Sequence, residues 1–108
     1  MPALQSIEQG MTLYRQGRMA EAEAVYRSII ARDPRQFDAL HMLGVIRFQK
    51  GFTRDAHDLI SKAVELRPRS AQTLSVLMAI LATLGRGPEA LAVSDCILAI
   101  DPNNLDTL

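Results

Sequence analysis

Three prolines recur at one interval. The stretches "ARDPRQ", "ELRPRS" and "AIDPNN" place Pro34, Pro68 and Pro102 at a spacing of 34 residues, each closing an apolar, Ala-containing run. Proline has no backbone N–H and clashes with the preceding helical turn, so it ends one helix or begins another. One such stop is commonplace. Three in phase mark an internal repeat, and a repeat of this length restricts the chain to arrays of a single supersecondary unit.

Aligning the segments on their prolines brings other residues into phase. Ala22, Ala56 and Ala90 coincide, as do Gly17, Gly51 and Gly85. Gly10 matches Gly44, with Met78 in the third copy; Leu40 matches Leu74 and Leu108, and Leu43 matches Leu77. Helical patterning runs from each glycine of the 17/51/85 set to the next proline, as in "AEAEAVYRSIIARD", and a second helical run precedes each of those glycines. A glycine at that point suits the left-handed residue that ends one helix before another starts. No segment alternates as a strand would. The unit is therefore a helix, a tight turn and a second helix. A small residue fixed on every second helix lets a neighbouring helix approach closely. Because one pair cannot bury its apolar stripe alone, several pairs stack into a continuous core.

These residues resemble the tetratricopeptide repeat (TPR), a unit of the same length with the pattern W-x₂-L-G-x₂-Y…A-x₃-F…P. The middle copy carries the likeness best, through Leu40, Leu43, Gly44, Ala56, Ile60 and Pro68. The third supplies Leu74, Leu77, Leu81, Ala90 and Pro102. The first supplies Gly10, Leu13, Ala22, Tyr26 and Pro34, while Ser6 and Gln9 stand where the family has apolar groups. The resemblance implies an all-α fold, a right-handed α-solenoid of three units over residues 3–36, 37–70 and 71–104. Residues 105–108 read as the start of a fourth unit, which points to a piece of a longer chain.

Composition excludes several functional classes. The 108 residues include 12 basic and 12 acidic side chains, a balance unlike that of a nucleic-acid surface. The charge is unevenly spread: residues 37–70 hold Arg47, Lys50, Arg54, Lys62, Arg67 and Arg69 against four acids, whereas residues 71–108 hold only Arg86 as a base. The most apolar stretch, "TLSVLMAILATLG", is shorter than the ~20 residues of a membrane span. The opening "MPALQSIEQG" lacks the basic-then-apolar layout of a secretory signal. A single cysteine, Cys96, rules out an internal disulfide and fits a reducing compartment, so the expected setting is cytoplasmic.

Nothing in the sequence assembles a catalytic or metal site. His41 and His57 fall on different helices of one unit, with no carboxylate or cysteine at ligand spacing. "GRG" at 85–87 followed by Pro88 reads as a helix-start turn rather than a phosphate cradle. No enzyme activity, cofactor or metal is expected. The TPR resemblance instead implies a protein–protein interaction scaffold that holds a peptide or partner helix in its concave groove. In that family the groove is lined by the second, fifth, ninth and twelfth positions of each unit. Those positions are here Leu4, Ile7, Met11 and Tyr14; Asp38, His41, Val45 and Phe48; and Gln72, Ser75, Ala79 and Ala82. Spacings of three, four and three keep each set on one helix face, and His41 is expected to lie open to a ligand beside Val45 and Phe48. The clamp with which chaperone-tail TPR domains hold a terminal carboxylate is missing, since its positions are Ile7, His41 and Ser75, then Met11, Val45 and Ala79.

An alternative follows from the likeness of "DALHMLGVIRFQKG" and "AHDLISKAVELRP" to the TPR arms of bacterial O-linked N-acetylglucosamine transferases. It makes the chain the N-terminal substrate-recognition arm of a larger glycosyltransferase. Those arms often carry asparagines at the sixth position, where this chain has Glu8, Met42 and Val76. A last expectation concerns self-association. Solenoid ends need a polar outer face, and the third unit, with "LSVLMAILATL", has none in sequence. A homodimer is expected through the third unit, or else through the first helix.

Overall fold

The structure, a computed structural model, describes residues 6–100. Leu4, Pro102 and the start of a fourth unit at 105–108 lie outside the described residues. Among the described residues there are six helices and no strands: α1 Ile7–Arg15, α2 Met19–Arg32, α3 Phe37–Gln49, α4 Thr53–Leu66, α5 Ala71–Thr83 and α6 Gly87–Ile100. Each helix packs chiefly on its neighbours in sequence, α1 on α2, α2 on α3 and so on, and the contact between α3 and α5 is light. The result is an elongated stack with extents of 48 × 25 × 24 Å.

The in-phase residues set the helix ends. Within each pair the turn is closed around a glycine with positive φ, +89° at Gly51. There the Phe52 N–H donates to the Arg47 carbonyl at 2.9 Å and the Gly51 N–H to the Phe48 carbonyl at 3.0 Å. This is the double hydrogen bond of a Schellman turn, which satisfies carbonyls that the helix end would otherwise leave unpaired. The same bonds recur at Gly17 and Gly85. Between pairs, the residue before each proline is pushed out of the helical region: Asp33 has φ −142° and Arg67 φ −138°. The next helix is then capped by a side chain, as Ser6, Gln36 and Ser70 accept from the N–H groups of Gln9, Ala39 and Thr73.

Small residues let the helices of a pair approach closely. Ala22 and Ala56 are fully buried and Ala90 nearly so. On the first helices, glycines admit large side chains of the second: a Cβ added at Gly44 would lie 2.6 Å from the Ile60 side chain, and one added at Gly10 would lie 2.6 Å from the Tyr26 ring. In the third pair the volumes are exchanged: Met78 stands at the glycine register and Ser94 at the register of Tyr26 and Ile60. The core does not divide by pairs. One buried cluster joins Ala22, Val25, Tyr26 and Ile29 of α2 to Ala39, Leu43 and Ile46 of α3, and a second joins Ala56 and Ile60 of α4 to Ile80 of α5.

A polar clamp spans the first two pairs. Arg47 and Glu23 are each only 13% exposed and lie 3.5 Å apart, and Arg47 also donates to Asp55 at 2.8 Å. Arg47 shares its register with Leu13 and Leu81. Its guanidinium lies 3.9 Å from the Phe52 ring centroid, a cation–π distance. Burial would raise the Glu23 pKa, but Lys50, Arg47 and Arg27 outweigh it and hold the carboxyl below its usual range.

Two stability predictions follow from the crossings. Ala56→Leu forces a branched side chain into a site with no free surface and should cost roughly 1–3 kcal/mol. Lys62→Ala, on the exposed face of α4, should stay within about 0.5 kcal/mol. Urea melts in which both variants match the parent would mean the helix register is wrong. The Tyr26 hydroxyl is buried and makes no hydrogen bond among the described residues. Burial foremost pushes its pKa up to about 12, with Asp38 and Tyr14 adding to the rise against Arg15. Because no hydrogen bond is lost, Tyr26→Phe should be neutral or stabilising by up to about 1 kcal/mol, whereas a melt lowered by more than that would reveal a partner for the hydroxyl.

Candidate peptide-binding groove

The groove positions fall on the first helix of each pair, and they differ in how open they are. On α1, Ile7, Met11 and Tyr14 are half-buried, with Ile7 and Tyr14 packed on the first core cluster. On α3, Asp38, Val45 and Phe48 are half-buried, and Phe48 leans on the second cluster. On α5, Ser75 is half-buried while Gln72, Ala79 and Ala82 are exposed. The Ser75 hydroxyl is turned back to its own helix, donating to the Ala71 carbonyl at 2.8 Å. Tyr14 and α3 are tied together by Gln49, whose side-chain amide donates to the Tyr14 hydroxyl at 2.8 Å.

His41 does not lie open beside Val45 and Phe48 as the sequence reading expects. It is 8% exposed, with Nδ1 hydrogen-bonded to the buried Thr73 hydroxyl at 3.0 Å. The Ser70 hydroxyl extends the chain, 2.9 Å from that of Thr73. On its other side the imidazole stacks on Phe37, with centroids 5.9 Å apart, and Arg67 lies over the far ring at 4.2 Å. The cause is the stacking of units: α5 starts beside α3, and its first turn closes over the fifth position of the middle unit. A signal was present in the sequence. Thr73 takes the register of Ala39, and a polar group at a buried alanine register needs a partner.

The charged side chains gather elsewhere. Arg54, His57, Asp58, Leu84 and Arg86 line an open cleft of about 400 Å³ between α4 and the α5–α6 turn. Arg86 is already held there by Glu89 through contacts of 2.7 and 2.6 Å. That pairing is the first cause of the lowered Glu89 pKa and the raised Arg86 pKa. A shallower apolar cleft of about 320 Å³ opens between α2 and α4, over Ile30, Leu43 and Leu59. No group of three or more His, Cys, Asp or Glu side chains suited to a metal occurs among the described residues. Cys96 is exposed on α6. No described helix is long and apolar enough to cross a membrane.

With the helix pairs and their crossings in view, the chain can be set beside known proteins. The family model "Tetratricopeptide repeat" matches residues 7–51. The fold of the described residues is that of a TPR-like helical repeat. Solved TPR-like structures superpose over almost all of it. A crystal structure of MamA gives a TM-score of 0.87 at 19% identity, covering 94% of this chain and 59% of that one. An O-GlcNAc transferase mutant from Thermobaculum terrenum gives 0.86 at 22% identity, over 94% of this chain but 19% of the other. The first TPR domain of Spaghetti (RPAP3), bound to an HSP90 peptide, SRMEEVD, gives 0.86 at 23% identity, over 93% and 79%. Among curated proteins, the cellulose synthase 2 operon protein C of Komagataeibacter xylinus is 36% identical over 64 residues, which is 59% of this chain and 5% of that protein. The chain thus spans a small part of that relative.

The buried imidazole predicts a pH dependence of stability. Burial foremost lowers the His41 pKa, and Asp38 opposes this only partly. The unfolded chain, with histidine near 6.5, then binds the proton more readily than the folded one. Stability from this site is therefore complete above the unfolded pKa and is lost as pH falls through the folded value. The urea midpoint should drop between pH 7.5 and 5.5, and the drop should shrink in His41→Gln. Equal drops in the two proteins would assign the effect to another group.

Proposed function

We propose that the chain is a protein-interaction module that holds a peptide or partner helix along the first-helix face of its repeats. The observation carrying this reading is the half-exposed apolar series Met11, Tyr14, Val45 and Phe48, continued on α5 by the small exposed residues Ala79 and Ala82. Large side chains at one end and small ones at the other suit a ligand with apolar anchors, as in helix-in-groove recognition. The TPR domain of Spaghetti holds a peptide ending in two glutamates, a valine and an aspartate. In this chain Ile7, His41, Ser75, Met11, Val45 and Ala79 carry no lysine or arginine. An apolar ligand is therefore favoured over an acidic tail, and His41 serves the frame of the groove rather than its surface.

The test is selection of binding peptides from a random display library, followed by chemical-shift mapping on the labelled chain. Phe48→Ala and Tyr14→Ala should each weaken the selected peptide by more than about 1 kcal/mol, the usual worth of an anchor contact, with helical content retained. A footprint confined to α2, α4 and α6 would overturn the groove assignment. Under the glycosyltransferase-arm reading, selected ligands would instead be extended, polar segments with no required apolar anchor.

A further inference from the structure

The two edges of the stack differ in how their cations are held. α3 runs back between α2 and α4, so second helices begin at one edge, beside the glycine turns, and end at the other, beside the prolines. At the glycine edge Arg18 meets Glu21 at 2.7 Å, Arg47 meets Asp55 at 2.8 Å, Lys50 meets Glu23 at 3.5 Å and Arg86 meets Glu89 at 2.6 Å. Arg15 and Arg54 are exposed there without such a partner. At the proline edge Arg35, Lys62, Arg67 and Arg69 are all exposed, and none forms an ion pair among the described residues. Arg35 and Arg69 each follow a proline, at the same register of consecutive units.

Local contacts leave these charges unneutralised. The Asp33 carboxylate is turned to its own loop, accepting from the Arg35 N–H at 3.1 Å. The Arg67 guanidinium lies 4.2 Å from the Phe37 ring centroid, a contact that positions the group and keeps its charge. Among these cations lies a cleft of about 220 Å³, lined by Pro34, Arg35, Leu40, Lys62, Glu65 and Leu66. Leu40 is buried and Leu66 half-buried, so an apolar lining sits within a cationic rim. The cleft lies at the side of the stack, where the first unit meets the second. A unit added at either end would leave it open.

We propose that this edge binds an acidic peptide segment of a partner protein, with one aliphatic side chain seated in the cleft and carboxylates on Arg35, Lys62, Arg67 and Arg69. A guanidinium offers a carboxylate two parallel hydrogen bonds, which fixes direction as well as charge. Exposed ion pairs are individually weak, so the segment also needs the apolar anchor, whose burial in the cleft fixes its register. Glu65 favours a peptide over a nucleic acid. Peptide N–H groups can donate to its carboxylate, whereas a phosphodiester backbone brings acceptors and negative charge. A flat lipid surface would reach the rim but leave the cleft empty. This site is separate from the first-helix groove and does not depend on what that groove holds.

The experiment titrates the chain into a fluorescent, C-terminally amidated peptide of glutamates around a single leucine. Saturable binding is expected, weakening as salt rises, with chemical-shift changes at Arg35, Leu40, Lys62, Leu66 and Arg69. The double variant Arg35→Glu, Arg69→Glu should bind at least about tenfold more weakly, with an unchanged helical spectrum because both residues are exposed. Arg15→Glu with Arg54→Glu makes the same change in net charge at the other edge and should stay within about twofold of the parent. Replacing the peptide's leucine by serine should lower affinity at least about tenfold. No saturable binding, equal losses in the two double variants, an unaffected serine peptide, or a footprint on the first-helix groove would each overturn the proposal. So would tighter binding of phosphatidylserine vesicles, or of a single-stranded oligonucleotide, than of the peptide.

Discussion

The structure depends on the contact between one helix pair and the next. Each pair closes at a crossing of small residues, but neither buried cluster is contained in a pair. The first cluster is shared by α2 and α3, and the second by α4 and α5, so three of seven buried residues in the first and one of three in the second come from the following unit. Apolar burial is the main favourable term in folding, and here it begins within each pair and is completed as units stack. The Schellman glycines and the prolines act upstream of that contact. They fix the angle and phase at which each second helix meets the following first helix.

The polar departures within this frame are accommodated in pairs. Arg47 occupies a register that is leucine in the other two units. Its stem covers apolar surface while its charge is taken up by Glu23 and Asp55, in the manner of a long cationic side chain at a core edge. Thr73 occupies an alanine register and is matched by His41 across the unit boundary. Arg47 lies in the middle unit and Thr73 at the start of the third, facing the middle one, where a lone buried polar group would have little water to turn to.

The fold was legible in the sequence because its signals are local and periodic. Pro34 and Pro68 mark helix ends, Gly51 marks a left-handed turn, and Ala56 marks a crossing, each needing only its own neighbours to be understood. The surface was legible in part. Spacing alone places Val45 and Phe48 on one face of α3, and both keep some exposure. His41 shares that spacing yet is buried, because its environment is set by Thr73, 32 residues away on another helix. The Arg47–Glu23 contact was hidden for the same reason. Periodicity gives the face of a helix; whether a neighbour's first turn covers it depends on register between units.

Nearest-neighbour packing also shapes how such a chain acquires its structure. Almost all contacts join helices adjacent in sequence, so little loop-closure entropy must be spent before a contact forms, and low contact order goes with fast folding. In a stack of this kind folding can begin at any pair and spread outward. The second pair has a neighbour on both sides and carries both polar matches. Among these three pairs, order is therefore deepest at the second. A chain emerging from the ribosome can consolidate its first two pairs while the third is still being made.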